Sequence, residues 1–153
     1  MSERNKIRLG IIFGGKSGEH EVSLMSAASV IRAVNKEKYD YIQPDNKVIR
    51  LVAEDYLKIF KGSEDAIEDG SWINDAQPFN PGDLKSIIDF ALPIMHGPYC
   101  EDGRIQGFFE MMDIPYGGCG VLASAVAMDK LLARDVFIRN GLPVCRHVGV
   151  SRS

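Results

Sequence analysis

The sequence predicts an α/β fold built on a parallel sheet, and three observations carry that reading. Two short runs, Ile7–Phe13 and Phe90–Met95, are almost continuously apolar, as in strands buried on both faces. Each run ends at a loop containing glycine, Gly14-Gly15 in one case and Gly97 in the other. After each loop the apolar residues recur at spacings of three and four, the period of a helix with one buried face. Strands alternating with helices are what crossover connections in a parallel sheet produce. The 153 residues, 45% hydrophobic and 25% charged, suffice for one domain with its own core and the beginning of another.

The elements follow in order. Ile7–Phe13 is the first strand, and polar 16–20 makes the turn. Leu24, Ala27, Ala28, Ile31 and Val34 form the apolar stripe of the first helix, widened by Met25, Ser29 and Ala33. Asn35-Lys36-Glu37-Lys38 is its polar exit. Tyr39–Gln43 reads as a second strand, stopped by Pro44, with a turn at Asp45-Asn46. Lys47–Val52 reads as a strand and Glu54–Phe60 as a short helix. The stretch 61–83 is polar and punctuated by Gly and Pro, and Ser86–Met95 supplies the next strand. Ile105, Phe108, Phe109 and Met112 mark one face of a helix, and Ile114–Gly118 gives a short strand and turn. Val121–Asn140 is helical in two pieces, with Asp129 capping the second and Gly141 and Pro143 stopping it. Val144–Val150 opens a further strand. There is no internal repeat and no low-complexity segment.

Composition narrows the function. A net charge of -3 provides no basic footprint for nucleic acid. No apolar run approaches the roughly 20 residues that span a bilayer. The N-terminus carries no small-residue cleavage site, so no signal peptide is expected. Cys100, Cys119 and Cys145 are odd in number and lack CxxC spacing, which points to free thiols packed as small apolar residues and to no metal site.

Three stretches carry chemistry. Gly10, Gly15, Lys16 and Ser17 match the P-loop pattern literally. The intervening Ile11, Ile12 and Phe13 are the most apolar part of a strand, and bending them into an anion nest would strip the sheet of its core, so the match is read as chance. The loop Gly14–Ser23 leads into a helix N-terminus, with Glu19 placed to meet a cation such as an ammonium group. The plainer alternative is that Glu19 and Glu21 complement the helix dipole. His96-Gly97-Pro98-Tyr99-Cys100-Glu101-Asp102-Gly103 lies at a strand's carboxyl end, where ligands bind in open α/β sheets. Against a ligand role, His96 reads as a histidine bonded to backbone, Glu101 and Asp102 as helix caps, and Lys130 as a surface lysine.

Taken together, Gly14–Ser23, His96–Gly107, Ile114-Pro115-Tyr116, Gly120–Ala125 and Ala127-Met128-Asp129-Lys130 resemble the D-alanine–D-alanine ligases of the ATP-grasp superfamily. The resemblance runs in order over nearly the whole chain. It implies a doubly wound, Rossmann-like pre-ATP-grasp domain at 1–126 and the first helix and strand of the central ATP-grasp domain at 127–153. It implies a cytoplasmic, homodimeric enzyme that joins two molecules of D-alanine for peptidoglycan synthesis, using ATP and Mg2+, through an acyl phosphate. Glu19 would hold the ammonium of the first D-alanine and Val22 would wall its methyl group. His96, with Gly97 shaping its loop, would stand beside the same substrate. Ser17, Glu101 and Asp102 would support them, and Lys130 would meet ATP phosphate.

Two departures from the family pattern stand out. Cys100 occupies a place where the family usually has glycine, so left-handed backbone and strain are expected there. The segment Gln43–Arg50 is shorter than the family's. The magnesium carboxylates and the adenine pocket are expected in further domains, and 153 residues alone are expected to be inactive. A non-catalytic dimerisation module and the P-loop hydrolase are the rival readings.

Overall fold

The structure, a computed structural model, describes residues 7–15, 17–35, 37–40, 47–51, 58–61, 65, 67, 69, 71, 77–78 and 80–150. The sheet is organised around β1 (Ile7–Gly14). It pairs in parallel with β2 (Tyr39–Asp40), β3 (Lys47–Leu51) and β6 (Phe90–Met95). Ile12, Phe13 and Gly14 are bonded to both β3 and β6, so those strands occupy opposite edges of β1. The helices are α1 (His20–Ala33), the single turn α2 (Leu84–Ile87), α3 (Arg104–Met111), α4 (Val121–Met128) and α5 (Lys130–Arg139).

The parallel sheet expected from the alternating pattern forms the centre, and the sheet is mixed beyond β3. β4 (Lys58–Lys61) runs antiparallel to β3, and β5 (Gln77–Pro78) antiparallel to β4. The link from Leu51 to Lys58 is far shorter than the roughly twelve residues a parallel crossover requires, so the chain can only double back. The helix expected over Glu54–Phe60 is therefore corrected: residues 58–60 are strand, and 54–57 lie outside the described residues. Of Tyr39–Gln43, the structure describes only the first two residues, as strand. The Ser86–Met95 strand begins later, at Phe90, after α2.

The alternation of side chains along β1 divides the core. Leu9, Ile11 and Phe13 pack on one face with Leu24, Ala27, Ala28 and Ile31 of α1, and with Ile67. Ile12 packs on the other with Ile88, Ala91, Met95, Cys100, Ile105, Phe109 and Ile114. Gly10 also faces this second cluster, where a Cβ would come within 2.8 Å of Ile88, and this close approach selects glycine. Where β6 begins, Asp89 accepts from the main-chain N–H of Arg8 at 2.8 Å and from its guanidinium Nη2 at 2.6 Å. That bonding holds the Asp89 carboxyl below its usual range. On the outer side of β6, Ala91 donates to Pro115 O, and its carbonyl accepts from Gly117 N–H, forming a bridge at Tyr116. Two residues further along β6 stands Pro93, opposite Ile12.

The C-terminal part follows the sequence closely as far as Gly141. α4 and α5 are separate, and the Asp129 side chain accepts the N–H groups of Leu131 and Leu132. α5 leaves Leu131, Leu132, Val136, Phe137 and Ile138 exposed. The strand expected at Val144–Val150 is not formed, because no described strand lies beside it to complete a ladder. Among the described residues no helix is long and apolar enough to cross a membrane.

Candidate small-molecule site at the ends of two parallel strands

The parallel pairing of β1 with β6 carries both strands to the same side of the sheet. Their following loops therefore meet. Ser23, on the first turn of α1 and fully buried, joins the strand ends: its hydroxyl accepts from Gly14 N–H at 2.7 Å and donates to Ile94 O. Ser17 makes the next tie. Its hydroxyl donates to the carbonyl of His96 at 2.6 Å and accepts the Glu19 N–H at 3.2 Å.

Glu19 is the N-cap residue of α1, yet its carboxylate makes no capping bond. Instead, Oε2 lies 3.0 Å from the point a Cβ on Gly97 would occupy. The carboxylate thus faces the second loop; as the N-cap residue Glu19 also stands at the positive end of α1, with Glu21 in the first helical turn, so the dipole reading holds beside it. His96 is half-buried, and its Nε2 lies 3.4 Å from the Ser26 hydroxyl of α1. The plainer reading of His96, a ring bonded to backbone, is not what the structure has: among the described residues the ring's partner is a side chain.

Gly97 is buried with φ +74°. Its N–H donates to Glu101 Oε2 at 2.7 Å, and its carbonyl accepts from Glu101 N–H at 3.0 Å. Asp102 accepts from Tyr99 N–H at 2.9 Å, from Arg104 N–H at 3.2 Å and from Arg104 Nη1 at 2.8 Å. Glu101 and Asp102 are thereby occupied in bracing the loop, Asp102 at the start of α3.

The strain expected at Cys100 is corrected. Among the described non-glycine residues, positive φ occurs at Tyr99 (72°) and Asp113 (52°), and not at Cys100. Cys100 is buried, with its Sγ against Gly15 of the first loop, and burial pushes its thiol up to about 11, with the Asp102 and Glu101 charges adding to the effect. Tyr99 takes the left-handed turn instead and stays exposed, with the Arg104 guanidinium 4.5 Å over its ring.

The reading of the P-loop match as chance agrees with the structure. Ile11, Ile12 and Phe13 are extended strand and at most 2% exposed, so no anion nest forms there; Lys16 lies outside the described residues. Val22 stands on the first turn of α1 and is 53% exposed. Lys130 is exposed at the start of α5, with no hydrogen bond or ion pair to either loop among the described residues. Among the described residues no three His, Cys, Asp or Glu side chains gather as metal ligands. Sequence reasoning missed Ser26, and also His20, whose Nδ1 lies 3.1 Å from Gly15 O. The spacing of Glu19, Ser23 and Ser26, four and then three residues apart, was the available signal, since it sets them along one helix face.

The two parallel strands of this α/β sheet thus end in loops that bring a carboxylate, an imidazole and hydroxyls to the side of the sheet where domains of this class bind ligands. The family model described as D-ala D-ala ligase N-terminus matches residues 8–119, and the chain belongs to that family. A relative named D-alanine--D-alanine ligase, from Ruminiclostridium cellulolyticum, is 38% identical over 163 residues, covering 91% of this chain and 42% of its own length. The crystal structure of the VanG D-Ala:D-Ser ligase from Enterococcus faecalis matches with TM-score 0.81 and 30% identity, over 93% of this chain and 44% of that one. A D-alanine--D-alanine ligase from Bacillus anthracis, complexed with ATP, matches with TM-score 0.59 and 29% identity, over 90% of this chain and 36% of that one. The chain thus spans less than half the length of the relatives it matches.

Proposed function

We propose that this chain is the amino-acid-binding portion of a cytoplasmic, homodimeric D-alanine–D-alanine ligase that makes D-alanyl-D-alanine for peptidoglycan. In this reading residues 1–126 form a doubly wound pre-ATP-grasp domain and 127–153 begin an ATP-grasp domain. The observation that carries it is the approach of the Glu19 carboxylate to Gly97, beside His96, across two loops that only the β1–β6 pairing brings together.

In this reading Glu19 receives the ammonium of the first D-alanine, in a charge-assisted hydrogen bond. Val22 borders the methyl group, and His96 stands beside the carboxylate end. Ser17, Glu101 and Asp102 hold the two loops still, so that the amino acid meets a preorganised site. In a ligase of this kind ATP would supply the phosphoryl group that activates the first carboxylate for attack by the amine of the second D-alanine. The described residues of this chain do not by themselves fit the nucleotide or magnesium. Lys130 is a single exposed cation, and no ligand cluster forms among the described residues, so no step is derived through either group.

Titrating the chain with D-alanine and with L-alanine, followed by backbone amide shifts, tests the reading. D-alanine should perturb the loops 14–23 and 96–103 at millimolar concentration, and Glu19→Gln should abolish most of that response. Equal responses to the two enantiomers, or none, would remove the assignment. The chain alone should release no phosphate from ATP and D-alanine above a no-enzyme control.

A further inference from the structure

The Ser26 hydroxyl has one hydrogen-bond partner among the described residues, Nε2 of His96. Ser29, one turn later, shows the usual alternative for a helical serine by donating to the carbonyl four residues back, Met25 O, at 3.0 Å. Ser26 does not take that alternative. A hydroxyl carries one proton and two lone pairs, and a proton without an acceptor is the costlier loss in a half-buried place. The neutral imidazole offers one lone-pair nitrogen and one N–H, and the partner of one nitrogen decides where the ring proton sits.

From this geometry, and resting on the amino-acid-binding function proposed above, we infer that Ser26 is a positioning residue that donates to Nε2 of His96 and so fixes the ring as the Nδ1–H tautomer. The ring then presents a donor, and not a lone pair, at the nitrogen that has no protein partner among the described residues. That polarity selects the carboxylate end of an amino acid over its ammonium end. Glu19, an acceptor, selects the opposite end. The backbone of His96 is held separately by Ser17, so Ser26 governs the ring and Ser17 the loop. Together the two donor and acceptor groups would read the head and tail of one zwitterion and impose a single orientation on it.

The test is nitrogen-15 NMR of the His96 ring in this chain at mildly alkaline pH. It is run on the wild type, Ser26→Ala and Ser26→Thr, each then titrated with D-alanine. The expected wild-type pattern is a protonated Nδ1 and a bare Nε2. Ser26→Ala should move the ring towards the Nε2–H form and weaken D-alanine binding roughly tenfold, the range for losing a hydrogen bond to a charged group. Ser26→Thr, which keeps the hydroxyl, should restore both. Alanine is the better helix former, so the fold of the variant is not at risk. A wild-type ring protonated on Nε2, or ring shifts indifferent to Ser26→Ala, overturns the assignment. A tautomer that follows Ser26 while D-alanine fails to bind the wild type supports the tautomer assignment and removes the proposed substrate instead. D-alanine binding equally to wild type and Ser26→Ala overturns the positioning role.

Discussion

The hydroxyl of Ser17 donates to the main-chain carbonyl of His96 at 2.6 Å, tying together residues 79 positions apart in sequence. The contact fastens the loop after β1 to the loop after β6, and it does so between the two residues flanking the proposed amino-acid site. Ser17→Ala leaves the His96 carbonyl without that donor. The expected cost is about 0.5–1.5 kcal/mol in urea unfolding, with increased amide exchange confined to the two loops. Unchanged exchange at Gly97 would show that the loops hold each other by packing alone.

Glu19→Gln keeps the shape of the side chain and removes its charge. If the carboxylate receives an ammonium, D-alanine binding should weaken by roughly ten- to a hundredfold, the range for a charge-assisted hydrogen bond of about 1.5–3 kcal/mol. Because the side chain makes no capping bond, the melting temperature should hardly move. A large fall in stability with binding unaltered would return Glu19 to a structural role.

Gly97→Ala should be damaging on two separate grounds. Its φ of +74° costs a non-glycine residue about 1–2 kcal/mol, and the new Cβ would lie 3.0 Å from both Glu19 Oε2 and Ser17 Cβ. Stability and D-alanine binding should therefore fall together, measured by thermal melts and by titration. Loss of stability with full binding would mean that Glu19 moves aside without functional consequence.

Cys100 should be the inert thiol. Alkylating reagents are expected to modify the exposed Cys119 and Cys145 and to spare buried Cys100, as read by mass spectrometry of the native protein. The thiol is favoured in its neutral form by folding. Its contribution to stability is therefore intact below the unfolded thiol's range, near pH 8.5–9, and is lost as pH rises towards about 11. Cys100→Gly should destabilise by about 1–2 kcal/mol, since φ there is not left-handed and the substitution removes buried contact while loosening the unfolded chain. A stabilised glycine variant would contradict the geometry at Tyr99 and Cys100.

Much of this arrangement was readable in the sequence, where local and long-range signals agreed. β1, α1, β6 and α3 combine strong periodicity with glycine-marked loops, and Asp129 announces its own helix. The failures have physical causes. Residues 58–60 have no helical or strand pattern long enough to decide between the two, and a β-ladder partner distant in sequence made the choice. Val144–Val150 has the composition of a strand, but a strand exists only with a neighbour. At the site, the motifs located Glu19 and His96; spacing set Ser26 on the same helix face as Ser23, but did not set it against an imidazole 70 positions away. That meeting depends on the rotation of α1 about its axis as it packs on β1. The misplaced strain has a similar origin: the loop needs a left-handed residue besides its glycines, and sequence alone did not show that Tyr99, whose ring remains in solvent, would be the one.

Pro93 bears on what can pair with the margin of the sheet. Ala91 directs its N–H and carbonyl away from β1, to the 115–117 segment, and by the twofold alternation of a strand the next main-chain groups to face outward belong to Pro93. Proline has no N–H to offer. The outer margin of β6, which beyond that bridge pairs with no strand among the described residues, therefore loses its donor one step further on. A stray strand would lack that bond in extending the ladder, which disfavours the strand-to-strand association that leads to aggregation. The same residue leaves the inner side of β6 fully bonded to β1, which lets one sequence position protect the sheet's edge without weakening its centre.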